Sequence, residues 1–165
     1  MEDLSISPEP VIVYGKFWPR FAAAFIDGLI LWIPGKILGM VMGADILITQ
    51  LIKRYTTGDQ EMDLGHVVAI VFVYELLAIT IAWLYSAILE SGPQQATFGK
   101  RALGLVVTDL HGERISFAKA TGRHFGKYIS SLILCIGYLM NIWDERGQTL
   151  HDKLAGTLVI KKRSY

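Results

Sequence analysis

Trp18-Pro-Arg-Phe-Ala-Ala-Ala-Phe-Ile-Asp-Gly-Leu-Ile-Leu-Trp32 is the stretch on which the fold turns. An arginine stands at its mouth and an aspartate follows seven residues further in. Seven residues is about two helical turns, so Arg20 and Asp27 share a helix face, roughly 10 Å apart along the axis. Nothing around Asp27 in sequence is polar enough to solvate a carboxylate. At mid-bilayer such a group costs on the order of 2.5–3.5 kcal/mol on insertion scales, which marks it as a functional candidate. The competing reading makes Asp27 a hydrogen-bonding tie between helices.

The surrounding sequence sets the solvent. Of 165 residues, 52% are hydrophobic, and the mean hydropathy is +0.40. The apolar residues lie in blocks, 21–43, 65–89 and 128–143. The first two exceed the ~20 residues that cross about 30 Å of hydrocarbon, so the chain reads as an α-helical integral membrane protein. The third, about 16 residues, is short for a crossing. The fold expected is two long transmembrane helices, at about 20–43 and 65–89, and a short third helix that is re-entrant or interfacial. A small cytoplasmic β-hairpin and strand module accompanies them. Residues 1–16 form a poorly ordered N-terminal tail, and 17–162 a single membrane domain. Met1-Glu-Asp-Leu4 lacks the basic start of a secretory signal, so the first span is expected to stay as an uncleaved anchor. The lone Cys135 excludes an intrachain disulfide and reads as a small buried hydrophobe.

Within the first span, Pro34 should kink the helix. Gly35, Gly39 and Gly43, at spacing four, offer a smooth strip for close approach of another helix. Residues 44–64 read as a loop, opening with a short interfacial helix up to Tyr55. Two further intramembrane charges stand out, Lys36 and Glu75. Measured from Arg20 and from Leu89 they lie about 24 Å and about 21 Å up antiparallel helices. Equal depth predicts an ion pair or a shared polar pocket, since a lone charge in hydrocarbon is costly.

Beyond Glu90 the character changes. Leu103–Asp109, the turn Leu110-His-Gly112 and Glu113–Ser116 read as a hairpin with glycine in the left-handed position. Ser116 then begins a helix with Phe117, Ala120, Thr121, His124 and Tyr128 on one face and Lys119, Arg123 and Lys127 on the other. That pattern predicts a basic amphipathic helix on an anionic membrane surface. Ala155–Lys162 has strand composition and needs a partner, which the 103–116 hairpin supplies. Residues 90–127 carry six Lys/Arg and 143–165 carry five. The positive-inside tendency therefore puts the N-terminus, the 90–127 segment and the C-terminus in the cytoplasm, with 90–127 and 144–162 forming one module. Asp152 then returns to the side of Arg20 and Asp27, where the three are expected to form one polar cluster.

Three pieces of the chain resemble the RDD family of small bacterial multi-pass membrane proteins. They are Phe17-Trp-Pro-Arg-Phe-Ala-Ala-Ala-Phe-Ile-Asp27, Thr97-Phe-Gly-Lys-Arg-Ala-Leu-Gly-Leu-Val-Val107 and Leu150-His-Asp-Lys-Leu-Ala-Gly-Thr-Leu-Val159. The likeness covers about residues 14–162. The family's arginine and two aspartates correspond to Arg20, Asp27 and Asp152. Its usual Thr-Pro-Gly-Lys is altered, because Phe98 replaces the proline, which would loosen the turn before Lys100. The resemblance implies a place in the bacterial inner (plasma) membrane and suggests transport, with cation–proton exchange proposed for some members.

Other chemistries fit poorly. Gly99-Lys100 lacks the remaining residues of a phosphate loop, since Gln94 and Arg101 stand at the required glycine and hydroxyl positions. His66, His111, His124 and His151 have no ligand spacing, so no metal site is expected. His151-Asp152 has no nucleophile in a suitable strand–turn–helix context, so no catalytic residue and no enzyme activity are expected. No cofactor is implied. Lys161-Lys-Arg163 reads as a membrane-side cluster rather than a nucleic-acid site. Two functions remain. One is a cation/proton or small-solute transport subunit, a homo-oligomer because so few spans cannot enclose a path, with Asp27 and Glu75 as ion sites. The other is a membrane anchor or assembly scaffold that binds a protein partner. A transport carboxylate must titrate and meet water, whereas a structural one is permanently satisfied.

Overall fold

A computed structural model describes residues 12–58, 64–132 and 136–162. Six helices and two strands follow in order: α1 (Phe17–Thr57), α2 (Leu64–Ser91), α3 (Phe98–Ala102), β1 (Leu105–Asp109), α4 (Phe117–Leu132), α5 (Ile136–Trp143), α6 (Leu150–Ala155) and β2 (Thr157–Lys161). Cys135 and the loop residues 59–63 lie outside the described residues.

Both α1 and α2 are long and apolar enough to cross a membrane. Their apolar side chains stay outside the protein interior, as Phe21, Phe25, Trp32, Ile37, Val68 and Phe72 show. In a bilayer that surface faces lipid, which supplies no driving force to bury it. The first span is longer than its sequence pattern implied. Its 41 residues make about 60 Å of helix. The stretch expected as an interfacial helix and loop simply continues it, because Ala44–Thr57 contains neither glycine nor proline to stop it. The stop is Gly58, left-handed at φ 70°, whose N–H donates to the Arg54 carbonyl. Pro34 is accommodated inside the helix.

The extramembrane module departs from the expected hairpin. β1 pairs antiparallel with β2, from Leu105↔Lys161 to Asp109↔Thr157, whereas Thr108↔Arg114 is only an isolated bridge. The Asp109 carboxylate accepts the N–H groups of His111 and Glu113, both at 2.9 Å. The turn thus closes on itself, and α4 begins before a return strand can extend. Residues 13–15, expected to be loose, run along the other edge of β2. Gly15 N–H donates to the Val159 carbonyl and Lys161 N–H to that of Val13, both at 2.8 Å. Residues 1–11 of the expected tail lie outside the described residues. A small core of Ala23, Ala87, Leu105, Val107, Ile115, Ala120 and Val159 joins this sheet to the neighbouring ends of α1 and α2.

The third apolar segment is a bent pair, with α4 and α5 meeting at 101°. Ser130 and Gly137 pack so closely that a Cβ on Gly137 would stand 2.8 Å from that of Ser130. The faces of α4 divide differently from the expected ones, since Arg123 joins Ala120 and His124 in the interior while Lys119 stays exposed. Ala120, Arg123, His124, Gly126 and Ser130 are buried, while Phe117, Phe125, Tyr128, Ile129 and Leu132 are exposed. The polar stripe turns inward because acidic partners wait there, and the apolar stripe turns toward lipid.

Candidate functional site

The inner ends of the helices converge on a chain of buried charges. Glu90 terminates the apolar run of α2 and is 1% exposed, and Arg123 of α4 is 2% exposed. Asp152, in the first turn of α6, is fully buried. Lys100 of α3 pairs with Glu90 through its ammonium. Arg123 reaches Glu90 at 3.5 Å through Nε and Asp152 at 3.3 Å through Nη2. Arg20 of α1 closes the series on the other Asp152 oxygen. The order is Lys100–Glu90–Arg123–Asp152–Arg20, with charges alternating along it.

Arg20 uses its planar fork fully. Besides Asp152, it donates to the carbonyls of Gly15 at 2.7 Å and Gly147 at 2.6 Å. It thereby ties α1 to the strand entry, the 144–147 turn and α6, a geometry lysine does not offer. Asp152 also accepts Thr149 N–H at 3.2 Å, capping α6. Burial alone would raise the Asp152 pKa, but the Arg123 and Arg20 guanidinium groups outweigh it and hold the carboxyl well below the usual range. Burial pushes the neighbouring His151 imidazole down to about 3.

Asp27 is not part of this ionic series. Its carboxylate accepts Tyr85 Oη–H at 2.7 Å, Thr97 Oγ1–H at 2.6 Å and Gly99 N–H at 2.7 Å. The expected pairing of Asp27 with a cation is therefore corrected, because α3 brings neutral donors to it instead. α3 sits so close to α1 that a Cβ on Gly99 would lie 2.1 Å from the Ala23 carbonyl oxygen and 2.9 Å from the Asp27 carboxylate. Thr97, Gly99 and Lys100 thus have separate tasks: the first two hold Asp27 and the third holds Glu90. Phe98 in place of proline leaves this turn closed, since its N–H donates to Tyr85 Oη at 3.3 Å.

The Lys36–Glu75 pair does not form: no ion contact joins them among the described residues. The depths do match, since Tyr74 Oη donates to the Gly35 carbonyl at 3.4 Å. The rotation of α2 does not. Tyr74 faces α1, and Glu75, about 100° further round the helix, faces outward. The Lys36 ammonium lies 5.7 Å from the centre of the Trp32 ring and lines a cavity of about 430 Å³ between α1 and α2 that does not include Glu75. Of the glycine strip, Gly39 has Tyr74 of α2 3.5 Å from its would-be Cβ, whereas a Cβ on Gly35 or Gly43 would meet nothing within 4 Å.

A larger cavity, about 640 Å³, is lined by Arg20, Asp27, Lys100, Arg123, His124 and Lys127, and by Phe17, Phe21, Leu31 and Leu139. Its volume is in the range of small-molecule sites. Arg123 Nη1 and His124 Nε2 are buried without a hydrogen-bond partner. Glu90, Arg123, Thr97 and Tyr85 were missed by sequence reading. The available signal was the spacing-four row Lys119, Arg123, Lys127, had it been tested against buried acids. The Ser130–His151–Asp152 grouping is not arranged as a relay. Ser130 Oγ–H donates to the Gly126 carbonyl, and His151 Nε2 lies 2.9 Å from Thr149 Oγ1 but 3.8 Å from Asp152.

The uncharacterized protein YxaI of Bacillus subtilis (strain 168) is 32% identical over 146 residues, covering 88% of this chain and 96% of the relative. A proline-rich antigen homolog of Mycobacterium tuberculosis is 28% identical, covering 94% of this chain and 67% of its own. The proline-rich antigen of Mycobacterium leprae is 26% identical over 114 residues, or 68% of this chain and 45% of the relative. No solved structure matches. The RDD family model matches residues 14–156, a span that holds Arg20, Asp27 and Asp152, and the chain belongs to the RDD family.

Proposed function

We propose that the protein is a solute-binding unit of a bacterial plasma membrane, acting in small-solute transport as a homo-oligomer and without catalysis. The larger cavity carries this reading. A scaffold needs no 640 Å³ space between α1, α2, α4, α5 and α6, still less one lined by buried polar atoms without a hydrogen-bond partner. Asp27 supports a structural rather than an ion-carrying role, because three donors already occupy its oxygens. Proton or cation exchange at Asp27 is thereby disfavoured within the transport class. The N-terminus, the 90–127 segment and the C-terminus face the cytoplasm in this proposal. Glu75, which faces outward at bilayer depth, is covered by a second copy.

The anchor or scaffold reading draws on a different observation: Arg20, Asp27 and Asp152 all hold elements together. Native mass spectrometry of protein released from its own membrane separates the two. Retention of a bound small molecule, lost in Ala24→Trp on the cavity wall, supports the solute reading. A bare wild-type chain that still captures a protein partner leaves only the scaffold.

A further inference from the structure

The larger cavity has a charge imbalance that identifies the class of its occupant. Four cationic side chains, Arg20, Lys100, Arg123 and Lys127, line it. Glu90 and Asp152 neutralise part of that charge from within the alternating series, and Asp27 contributes a third carboxylate from the wall. One positive charge is left over. It is shared by Arg123 and Lys127, because Lys100 pairs with Glu90, Arg20 pairs with Asp152, and Arg123 lies between two acids that already have a cation each. Lys127 has no acid within ion-pair distance among the described residues. Next to it on α4, Arg123 Nη1 and His124 Nε2 are buried and unpartnered, although their side chains are only 2% and 8% exposed. A buried guanidinium nitrogen without a partner is costly, and an anionic acceptor removes that cost. Another part of the wall is apolar, with Phe21, Leu31 and Leu139 on it.

We infer that the cavity takes an amphiphile with a phosphate-type oxyanion head, seated on Lys127 and Arg123, with its apolar body along Phe21, Leu31 and Leu139. The inference rests on the reading of this cavity as a solute site and adds the sign and shape of the solute. An oxyanion meets the Lys127 ammonium and Arg123 Nη1 at once and balances the spare charge. A cation would face four positive side chains in a low-dielectric space. An apolar body is required because a free anion would leave the hydrophobic wall wet.

The test uses the full chain in neutral maltoside micelles, titrated with dodecyl phosphate, inorganic phosphate and dodecyltrimethylammonium. Dodecyl phosphate should bind at least about tenfold tighter than either of the others, the magnitude of one charge-assisted hydrogen bond. Lys127→Gln should weaken dodecyl phosphate about tenfold and leave dodecyltrimethylammonium unchanged. Lys127→Arg should restore binding, which a folding defect would not allow. Inorganic phosphate binding as tightly as dodecyl phosphate overturns the amphiphile. Preferential binding of dodecyltrimethylammonium, abolished by Ala24→Trp, overturns the oxyanion while keeping the solute site. If Ala24→Trp changes the binding of no probe, the solute site itself fails.

Discussion

Removing the most deeply embedded cation of the charge series should cost less than removing either of its anions. Lys100, Glu90, Arg123, Asp152 and Arg20 alternate in sign, three cations to two anions. Arg123→Met leaves two matched pairs, Lys100–Glu90 and Arg20–Asp152. Glu90→Gln leaves three cations to one anion, with Lys100 unpaired beside Arg123, which keeps only Asp152. Asp152→Asn likewise leaves Arg20 unpaired, while Arg123 keeps only Glu90. Breaking a buried pair by deleting one partner costs about 3–5 kcal/mol, chiefly because the other charge stays buried and uncompensated. Glu90→Gln and Asp152→Asn should each fall in that range. Arg123→Met leaves no such orphan, and its methionine fills much of the volume in a site now free of one desolvated charge. Its loss should be smaller, about 1–2 kcal/mol, mostly lost packing. Unfolding from maltoside micelles, titrated with a denaturing detergent and followed by tryptophan fluorescence, measures all three. If Arg123→Met loses as much as Asp152→Asn, charge balance does not govern the series and the reasoning fails.

Three further outcomes follow from other parts of the molecule. Gly99→Ala should cost at least about 3 kcal/mol or abolish folding, because its Cβ would meet the Ala23 carbonyl at 2.1 Å in a backbone that has no room to shift; a loss below about 1 kcal/mol, as for an ordinary surface change, refutes the close packing of α3 on α1. Stability should rise with pH from about 3 to 6.5, since burial holds His151 neutral down to about 3 while the unfolded imidazole binds a proton below about 6.5. Asp152, depressed by its arginines, adds a loss of stability below about 4 as the unfolded carboxylate takes up a proton; a His151→Gln profile as steep as wild type between pH 4.5 and 6.5 contradicts the assignment. In a double-mutant cycle, Lys36→Met and Glu75→Gln should be additive within about 0.5 kcal/mol in the monomeric chain, and a larger coupling would place the two side chains in contact after all.

What the sequence revealed and what it concealed separate along physical lines. The two spans were legible because thirty ångströms of hydrocarbon imposes a length that a composition plot detects directly. The approach of Asp152 to Arg20 was legible because the charge distribution places both on one side of the bilayer. The rotation of α2 was not. That helix is apolar on every side, so no periodic stripe fixes which of Tyr74 and Glu75 meets α1. An error of one residue in phase is enough to turn a predicted ion pair into two separate groups. The faces of α4 were concealed by the choice of solvent. A basic row beside an apolar one points outward in water, but next to lipid the order inverts if buried acids are at hand. Glu90, at the end of an apolar helix, and Asp152, after the third apolar segment, are those acids. Neither has a sequence neighbour that announces Arg123 as a partner, so only the three-dimensional return of α6 onto α4 reveals the link. The tightness of that return is visible at Gly126, whose would-be Cβ lies 3.0 Å from that of His151. The same return carries β2 back to β1, so the sheet and the charge series are two consequences of a single chain path. Breaking the Arg123–Asp152 contact should therefore loosen the β1–β2 pairing. The amide protons of Val106 and Ile160, which alternate along the strands with the outward-facing N–H groups of Val107 and Val159, are where hydrogen exchange would register it.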